Sequence, residues 1–404
     1  MNAKASQDMH LSNRVQSLAE SQTIAMARKS RDLAAQGVNI ISLTLGEPDF
    51  NTPNIIKEAA KKAIDDNFSF YTHVSGYLEL RQAICQKFLR DNQLAYTPDE
   101  IVVSTGAKQS IANAVLCMLN PRNEVIIPAP YWVTYTEILK LAEATPIVVN
   151  TSIEHDFKIT PQQLQQAITN KTHMLIFSSP CNPTGSVYSE KELNALADII
   201  KQHKDLYVIS DEIYEHINFI GKHSSIAHIE GMKERTIIIN GVSKGFAMTG
   251  WRGGIMAAPK WIAQACDKIQ GQFTSATCSI TQKAMEAAMH LSAETTYPMR
   301  DAFKRRRDLV VKSLNDIKGF KCNNPDGAFY VFPDVSYFFG KQYNGKAIAN
   351  ATDLCMYLLE EAAVSMVPGA AFGDDKYLRI SYATSEEKLT EAISRIKQAV
   401  EKLS

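Results

Sequence analysis

The sequence predicts an α/β fold in which a mostly parallel, mixed sheet is flanked by helices, with a smaller α+β domain beside it. Short apolar runs rich in β-branched residues recur between about residues 100 and 258, and helical patterns separate several of them. After residue 296 the pattern changes to long, charged helices. Strands that alternate with helices build parallel sheets with both faces covered, which is why we expect this architecture.

Composition narrows the class of protein. The chain has 404 residues, enough for two to three domains, and its 45% hydrophobic and 21% charged residues exclude a disordered or fibrous chain. The 43 basic and 43 acidic residues cancel, so no net charge attracts nucleic acid or an anionic membrane. We expect no membrane span and no signal peptide, because neither apolar pattern is present. The seven cysteines are odd in number and lack a C-x-x-C pair, which predicts reduced thiols in the cytoplasm and no metal site.

The N-terminal segment 1–47 is expected to form an arm and part of the small domain. Residues 23–37 have apolar side chains at helical spacing and a glycine stop, and an apolar run follows over 38–45. Two more helices are predicted over 54–64 and 78–89.

The segment 48–294 is expected to form the large domain. Ser189 and Glu192 form a capping box at the start of one of its helices, and another helix covers 108–119. Seven runs are predicted as strands: 101–104, 125–127, 146–149, 173–177, 206–210, 236–239 and 254–258.

The segment 295–404 is expected to form the small domain. It begins with a charged helix, continues through a stretch marked by Gly and Pro over 324–330, and includes a strand over 377–381. A capping box of Thr384 and Glu387 is predicted to start the final helix.

Ligands of open α/β sheets bind beyond the carboxyl ends of the strands, so the residues that follow each strand are the candidates for chemistry. Each has an ordinary structural explanation when taken alone: a strand–turn–helix connection, a buried aromatic, a turn, or a helix N-cap. The candidates are Gly106, Ala107 and Lys108; Trp132; Asn182; and Asp211 with Tyr214.

The most specific stretch is 240–252, which contains Lys244 among small residues after a buried strand. A desolvated amine has a lowered pKa and becomes a nucleophile toward aldehydes. Ser243 and Arg252 are good partners for a phosphate. The aldehyde that also carries a phosphate is pyridoxal phosphate, which would further need a carboxylate for its ring nitrogen, donors for its phenolate oxygen and an aromatic ring for its face.

Five ordered motifs carry a resemblance that extends from residue 11 to residue 403. They are S-L-T-L-G-E-P-D-F at 42–50, S-P-C-N-P-T-G at 179–185, S-D-E-I-Y-E-H at 210–216, S-K-G-F-A-M-T-G-W-R at 243–252 and Y-L-R-I-S-Y-A at 377–383. Together they resemble the class I aminotransferases of pyridoxal-phosphate fold type I, and most closely the bacterial aspartate aminotransferase branch, subgroup Iβ.

The resemblance implies a role for each candidate around the cofactor. Lys244 would bind its aldehyde as a Schiff base and move a proton between the substrate Cα and the cofactor C4′. Asp211 would pair with the pyridinium nitrogen, and Trp132 would stack on the ring. Asn182 and Tyr214 would hydrogen-bond the phenolate oxygen, and the phosphate would be bound by Gly106, Ala107, Lys108, Ser243 and Arg252.

The resemblance also implies a substrate site and a partner. Arg379 would bind the substrate α-carboxylate, with Gly46 letting the backbone approach it and with Trp132 and Asn182 nearby. Lys108 and Thr23 would recognise a distal carboxylate, although Lys108 has the alternative of facing solvent from a first helical turn. Tyr71 resembles the tyrosine that reaches the neighbouring subunit's site, which implies a homodimer with shared active sites.

The expected reaction is a ping-pong transfer of the amino group of L-aspartate to 2-oxoglutarate. Prephenate or aromatic amino-acid transamination stays open as the alternative. A C–S lyase, a decarboxylase, a non-enzymatic regulator on the same fold and a nucleotide-binding α/β protein are the more distant alternatives; the last lacks a G-x-G-x-x-G or Walker loop. Two departures from the family pattern are Gly253, expected to change the local turn packing, and Cys181, expected to be a buried small side chain.

Overall fold

A computed structural model describes residues 11–19 and 22–404, with the side chains of residues 22, 23, 24 and 27 left out. Its centre is a sheet of seven strands: β2 Ile101–Thr105, β3 Glu124–Ala129, β4 Thr145–Asn150, β5 Thr172–Ser178, β6 Tyr207–Asp211, β7 Thr236–Gly241 and β8 Gly253–Ala257. Their order across the sheet is β2-β8-β7-β6-β5-β3-β4. Strand β8 runs antiparallel to both of its neighbours, and the other pairs are parallel.

Helices cover both faces of this sheet because its strands are apolar on both sides. On strand β7, Ile237 and Ile239 pack with the helices Ala107–Met118, Thr134–Leu141 and Lys260–Phe273. Ile238, between them, packs on the opposite face with the helices Asn54–Asp65, Leu78–Lys87 and Ser279–His290. The helices Pro161–Ala167 and Glu190–Ile200 extend that second face. The predicted mostly parallel sheet between helical layers is confirmed.

A second group of elements has its own core. Strands β13 Val367–Pro368, β14 Leu378–Ser381 and β9 Tyr330–Val331 form an antiparallel sheet, and β10 Gln342–Tyr343 pairs with β11 Lys346–Ala347. The helices Tyr297–Asn315, Ala351–Glu361 and Glu386–Val400 pack around them. Strand β1 Ile41–Ser42 pairs in parallel with β12 Val364–Ser365, which joins the N-terminal part of the chain to this group. The domain limits at residues 47 and 294 stay predictions.

The predicted capping box is confirmed at one helix and needs correction at the last helix. Ser189 and Glu192 form the predicted capping box. The last helix, however, is capped by Ser385 and not by Thr384, because the Ser385 backbone is extended and its Oγ accepts from the Lys388 N–H at 3.3 Å. The helix predicted over 78–89 ends at Lys87 and continues as a π-helical turn, Phe88–Asn92. Two further helices, Asn13–Gln16 and Gln22–Ala35, begin the described chain. None of the described helices is long and apolar enough to cross a bilayer.

Candidate active site

A cavity of about 310 Å³ opens at the carboxyl ends of strands β2, β3, β5, β6 and β7. It lies where the sheet meets the second group of elements, because Tyr330 and Arg379 also line it. The predicted residues that line it are Gly46, Ala107, Lys108, Trp132, Asn182, Asp211, Tyr214, Ser243, Lys244, Arg252 and Arg379.

Lys244 follows strand β7 and points into the cavity. Its Nζ donates to the backbone oxygen of Gly46 and lies 5.7 Å from the centre of the Tyr214 ring. Burial lowers the pKa of this amine to about 8, and the nearby carboxylate of Glu47 opposes that effect. A substantial neutral fraction near neutral pH makes Lys244 a competent nucleophile and proton carrier.

Asp211 ends strand β6 and is 4% exposed. Burial raises the pKa of its carboxyl to about 6, although hydrogen bonds from the Tyr135 hydroxyl and the Ile213 N–H favour the charged form. The Tyr135 hydroxyl lies 2.7 Å from Asp211 Oδ2. A buried carboxylate held in place in this way suits a cationic ligand atom, which would restore its full charge.

Arg252 lines the cavity and lies against the turn at Gly106. Gly106 has φ +86°, and a Cβ placed on it would lie 2.3 Å from Arg252 Nη2, so glycine is required for the guanidinium to approach the turn. Ser243 lies in the same cavity and is buried. The turn opens the helix Ala107–Met118, whose N-terminus favours negative charge. This region is suited to a phosphate group.

Arg379 lies on strand β14 and is 2% exposed. Its Nη1 donates to Asn182 Oδ1 at 2.9 Å and its Nη2 to the Thr44 carbonyl at 2.6 Å. Its buried Nε has no hydrogen-bond partner among the described residues. A guanidinium that is fixed by two bonds and still has a free donor suits a carboxylate ligand.

Lys108 lines the cavity, and its side chain is also exposed to solvent. Its Nζ lies 5.1 Å from the centre of the Trp132 ring, and partial burial followed by repulsion from Arg252 lowers its pKa. The solvent-facing alternative for Lys108 and its role toward a distal carboxylate both stay predictions.

Gly106 and Tyr71, both predicted for the site, do not line this cavity. Tyr71 is 96% exposed and does not line it. The side chain of Thr23 lies outside the described residues. Cys181 is a buried small side chain, as expected, with its Sγ 3.9 Å from the Pro130 carbonyl.

Sequence reasoning missed Tyr135 and Tyr330, which contribute directly to the site. Tyr135 follows Trp132 by three residues, which is helical spacing, so the position of Trp132 was the signal that could have indicated it. Tyr330 ends the Gly- and Pro-marked stretch, but no local signal places it beside a strand end 116 residues away.

Comparison with known proteins decides the family. The sequence profile of the family Aminotransferase class I and II matches residues 38–396. The chain belongs to this family. A relative from Petunia hybrida, a bifunctional aspartate aminotransferase and glutamate/aspartate-prephenate aminotransferase, is 49% identical over 98% of this chain and 84% of its own length.

Solved structures agree with the fold of this aminotransferase. The aspartate aminotransferase from Rhizobium meliloti superposes with a TM-score of 0.95 at 41% identity, covering 98% of this chain and all of that one. The aspartate aminotransferase from Thermus thermophilus with maleate superposes with a TM-score of 0.91 at 39% identity, covering 96% of this chain and 99% of that one. The expected fold type I architecture and aminotransferase class are therefore confirmed.

Proposed function

We propose that this enzyme is a pyridoxal-phosphate-dependent aspartate aminotransferase that moves the amino group of L-aspartate to 2-oxoglutarate, giving oxaloacetate and L-glutamate. The observation that carries the proposal is the position of Lys244, a desolvated amine in the same cavity as the buried carboxylate of Asp211, the guanidinium of Arg252 and the guanidinium of Arg379. Aspartate and glutamate are dicarboxylic, and Lys108 supplies a further cation at the cavity wall.

The residues present fit pyridoxal phosphate. Burial disfavours the charged form of Asp211 and raises its pKa, and a neighbouring cation would restore the charge. A protonated pyridine nitrogen would be such a cation. The glycine turn at Gly106 leaves the Arg252 guanidinium open to a phosphate, with Ser243 beside it. Asn182 and Tyr214 would donate to the phenolate oxygen, and Trp132 offers a ring face. Lys244 would hold the aldehyde carbon.

When bound, this cofactor supplies an aldehyde for the amino group and an electron-accepting ring that stabilises negative charge at the substrate α-carbon. Lys244 Nζ moves the proton at that carbon, because its lowered pKa lets the amine both accept and return a proton near neutral pH. Asp211 holds its charge against the ring nitrogen, and the hydrogen bond from Tyr135 keeps that carboxylate in place.

Substrate orientation falls to residues on two sides of the cavity. Arg379 binds the α-carboxylate with its free Nε and its fixed guanidinium plane. Gly46 lies close by without a side chain, since a Cβ there would be 2.5 Å from the Tyr330 hydroxyl oxygen. Lys108 binds the distal carboxylate, and Thr23 is proposed to assist it.

Three further points belong to the proposal. The strong exposure of Tyr71 and of its neighbour Phe70 supports a homodimer in which Tyr71 reaches the neighbouring subunit's site.

The cysteines are unpaired, which supports a reducing compartment such as the cytoplasm. The N-terminal segment to residue 47 and the segment from 295 act together as the small domain, supported by the pairing of β1 with β12.

Prephenate is the second candidate amino-group acceptor, and the name of the Petunia hybrida relative favours it. The test is a half-reaction titration of purified protein reconstituted with pyridoxal phosphate. Amino acids are added singly, and loss of the visible absorption band is followed together with release of the oxo acid. Aspartate and glutamate should give the highest second-order rate constants, and a faster reaction with aromatic amino acids alone would contradict the proposal.

The variant Lys244→Ala tests the central residue. It should lose the visible band and about 10⁴-fold or more of the turnover number, because one amine both bonds the cofactor and moves the proton. Lys171→Ala, at an exposed site away from the cavity, is the matched control. Full activity in Lys244→Ala would overturn the proposal. Oxaloacetate formed from aspartate, against sulfide or CO₂ released from other amino acids, separates a transaminase from a lyase or decarboxylase.

A further inference from the structure

Tyr330 is a fully buried residue of strand β9 that contacts both halves of the proposed site. Its hydroxyl oxygen lies 2.8 Å from the hydroxyl oxygen of Tyr214. Its ring lies under the guanidinium of Arg379, with 4.6 Å between Arg379 Cζ and the ring centre. One side chain therefore joins the tyrosine next to Lys244 to the arginine on strand β14.

The direction of the hydrogen bond follows from the role of Tyr214. Each hydroxyl has one proton to donate. If Tyr214 donates its proton toward the cofactor, the bond between the two hydroxyls needs the proton of Tyr330. Burial raises the pKa of both phenols, and the Arg379 guanidinium opposes that rise at both. Both hydroxyls therefore keep their protons near neutral pH, as this arrangement of donors requires.

The ring of Tyr330 has a second role. Arg379 donates to Asn182 and Thr44, and its Cζ lies 4.6 Å from the centre of the Tyr330 ring and 4.9 Å from the centre of the Phe372 ring. Stacking of a guanidinium on aromatic rings restricts its rotation and supports it by cation–π attraction. The ring therefore orients Arg379, and it does so without the hydroxyl.

We propose that Tyr330 is a positioning residue with two separable functions: its hydroxyl donates to Tyr214 and directs the Tyr214 proton toward the cofactor, and its ring orients Arg379 for the substrate carboxylate. The proposal rests on the proposed function, because it assumes that pyridoxal phosphate binds at Lys244. The charged groups that act on the two hydroxyls are Arg379 and Asp211, and Lys244 lies over the Tyr214 ring.

The hydroxyl function is tested by a double-mutant cycle of Tyr330→Phe and Tyr214→Phe in the cofactor-loaded protein. The measured quantity is the midpoint of the pH titration of the visible absorption band. Donation from Tyr214 stabilises negative charge on the phenolate oxygen and so favours the deprotonated chromophore. Tyr330→Phe should raise the midpoint by about 0.3 pH unit, through loss of hydrogen-bond cooperativity, and Tyr214→Phe should raise it more.

The decisive comparison is Tyr330→Phe in the Tyr214→Phe background, where it should no longer move the midpoint. An equal shift in both backgrounds, or no shift in either, would overturn the hydroxyl function. Tyr357→Phe is the matched control, because Tyr357 is a buried tyrosine that donates to the Ala399 carbonyl outside the cavity, and its midpoint should equal that of the wild type. Absence of any visible band in the wild-type protein would instead refute the proposed function.

The ring function is tested by the dissociation constant of maleate, a dicarboxylate, measured by its perturbation of the same absorption band. Tyr330→Phe keeps the ring and should change the constant by no more than about twofold. Tyr330→Leu removes the aromatic face and should weaken maleate binding by about 5- to 30-fold. Equal weakening of maleate binding by both variants would overturn the ring function. So would unchanged maleate binding in a Tyr330→Leu protein whose spectrum and thermal unfolding match those of the wild type. If Tyr330→Leu does not fold, Phe372→Leu removes the second ring beside the same guanidinium, with the same expectation.

Discussion

The Tyr135 hydroxyl donates a 2.7 Å hydrogen bond to Oδ2 of Asp211, and both residues are buried and line the cavity. The bond stabilises the charged form of a carboxylate whose pKa burial has raised to about 6. Asp211 is therefore close to losing its charge within the physiological pH range, and Tyr135 holds it on the ionised side.

Tyr135→Phe should raise the pKa of Asp211 further, because a hydrogen bond to the charged form is lost. We expect the dissociation constant of pyridoxal phosphate at pH 6 to increase about tenfold, and the loss of cofactor on acidification to begin at a higher pH. The measurement is cofactor binding by absorbance between pH 5 and 8. Tyr188→Phe, a buried tyrosine outside the cavity, should leave the profile in place. A Tyr135→Phe profile that matches the wild type would show that Asp211 is tuned by other groups.

Capture of pyridoxal phosphate by the apoprotein should depend on the neutral amine of Lys244. With a pKa of about 8, the second-order rate constant should rise about tenfold per pH unit below pH 8 and level off above it. Glu47 holds that pKa up, so Glu47→Gln should move the plateau to lower pH. The exposed Glu58→Gln is the control and should not move it. A plateau that stays in place in Glu47→Gln would remove the assigned electrostatic effect.

Lys108→Met should reduce the preference for dicarboxylic substrates. The ratio of kcat/KM for aspartate to kcat/KM for alanine should fall by about 30- to 100-fold, because a hydrogen bond to a charged group is lost while a similar side-chain volume remains over Trp132. Steady-state kinetics with the two amino acids measure it. Lys171→Met serves as the control, and an unchanged ratio in Lys108→Met would show that the distal carboxylate is recognised elsewhere.

A buried ion pair between Lys87, at the end of the helix Leu78–Lys87, and Glu215, after strand β6, should be important for folding. Lys87 Nζ bonds Glu215 and Asn92, and Asn92 Nδ2 donates to Glu215 Oε2 at 2.8 Å. Lys87→Met leaves a buried carboxylate without its cation and should lower the free energy of unfolding by about 3–5 kcal/mol, measured by urea denaturation at pH 7. Lys61→Met, which breaks an exposed pair with Glu58, should have little effect.

The pH dependence of that loss has a defined sign. Burial raises the pKa of Glu215, but Lys87 and then His216 and His223 lower it more, so the net shift is downward. The contribution is therefore fully present above the ordinary glutamate pKa of about 4.3 and is lost as the pH falls through the lower native value. The stability difference between the wild type and Lys87→Met should shrink on acidification, and a difference that grows would contradict this assignment.

Gly253 has no room for a side chain. A Cβ there would lie 2.6 Å from Met285 Sδ and 2.9 Å from Val242 Cγ2, so Gly253→Ala should destabilise the protein by about 1–3 kcal/mol through overpacking. The cost should be smaller in a Met285→Ala background, which opens the space. Gly250→Ala is the matched control, because a Cβ at Gly250 would have no neighbour within 4 Å and no left-handed backbone is involved. Equal costs at the two glycines would refute the packing argument.

The sequence is informative wherever the signal is local. Lys244, Asp211 and Asn182 could be predicted because each follows an apolar strand, and strand ends of a parallel sheet converge. The predicted cap of the last helix is wrong by one residue, since Thr384 and Ser385 are both good caps and only the backbone conformation distinguishes them.

Long-range contacts are beyond the reach of the sequence pattern. Tyr330 meets Tyr214 across 116 residues because strand β9 pairs with β14, a register that periodicity does not specify. The role of Tyr71 depends on a second chain, so no pattern within one chain can test it. The position of Lys108 beside the Trp132 ring likewise depends on packing that the sequence pattern does not specify.

The attachment of the N-terminal strand has a mechanical consequence. Thr44 bonds Arg379, and the Leu43 carbonyl accepts from the Ser381 N–H at 2.9 Å, so the residues leading to Gly46 are tied to the strand that carries the arginine. The backbone at Gly46 and the side chain of Arg379, which are proposed to contact the substrate carboxylate together, therefore belong to one structural unit. A hinge motion of this unit would change the distance between the bound substrate and Lys244 and would leave the contacts to the carboxylate undistorted. That distance and the strength of carboxylate binding can therefore vary independently.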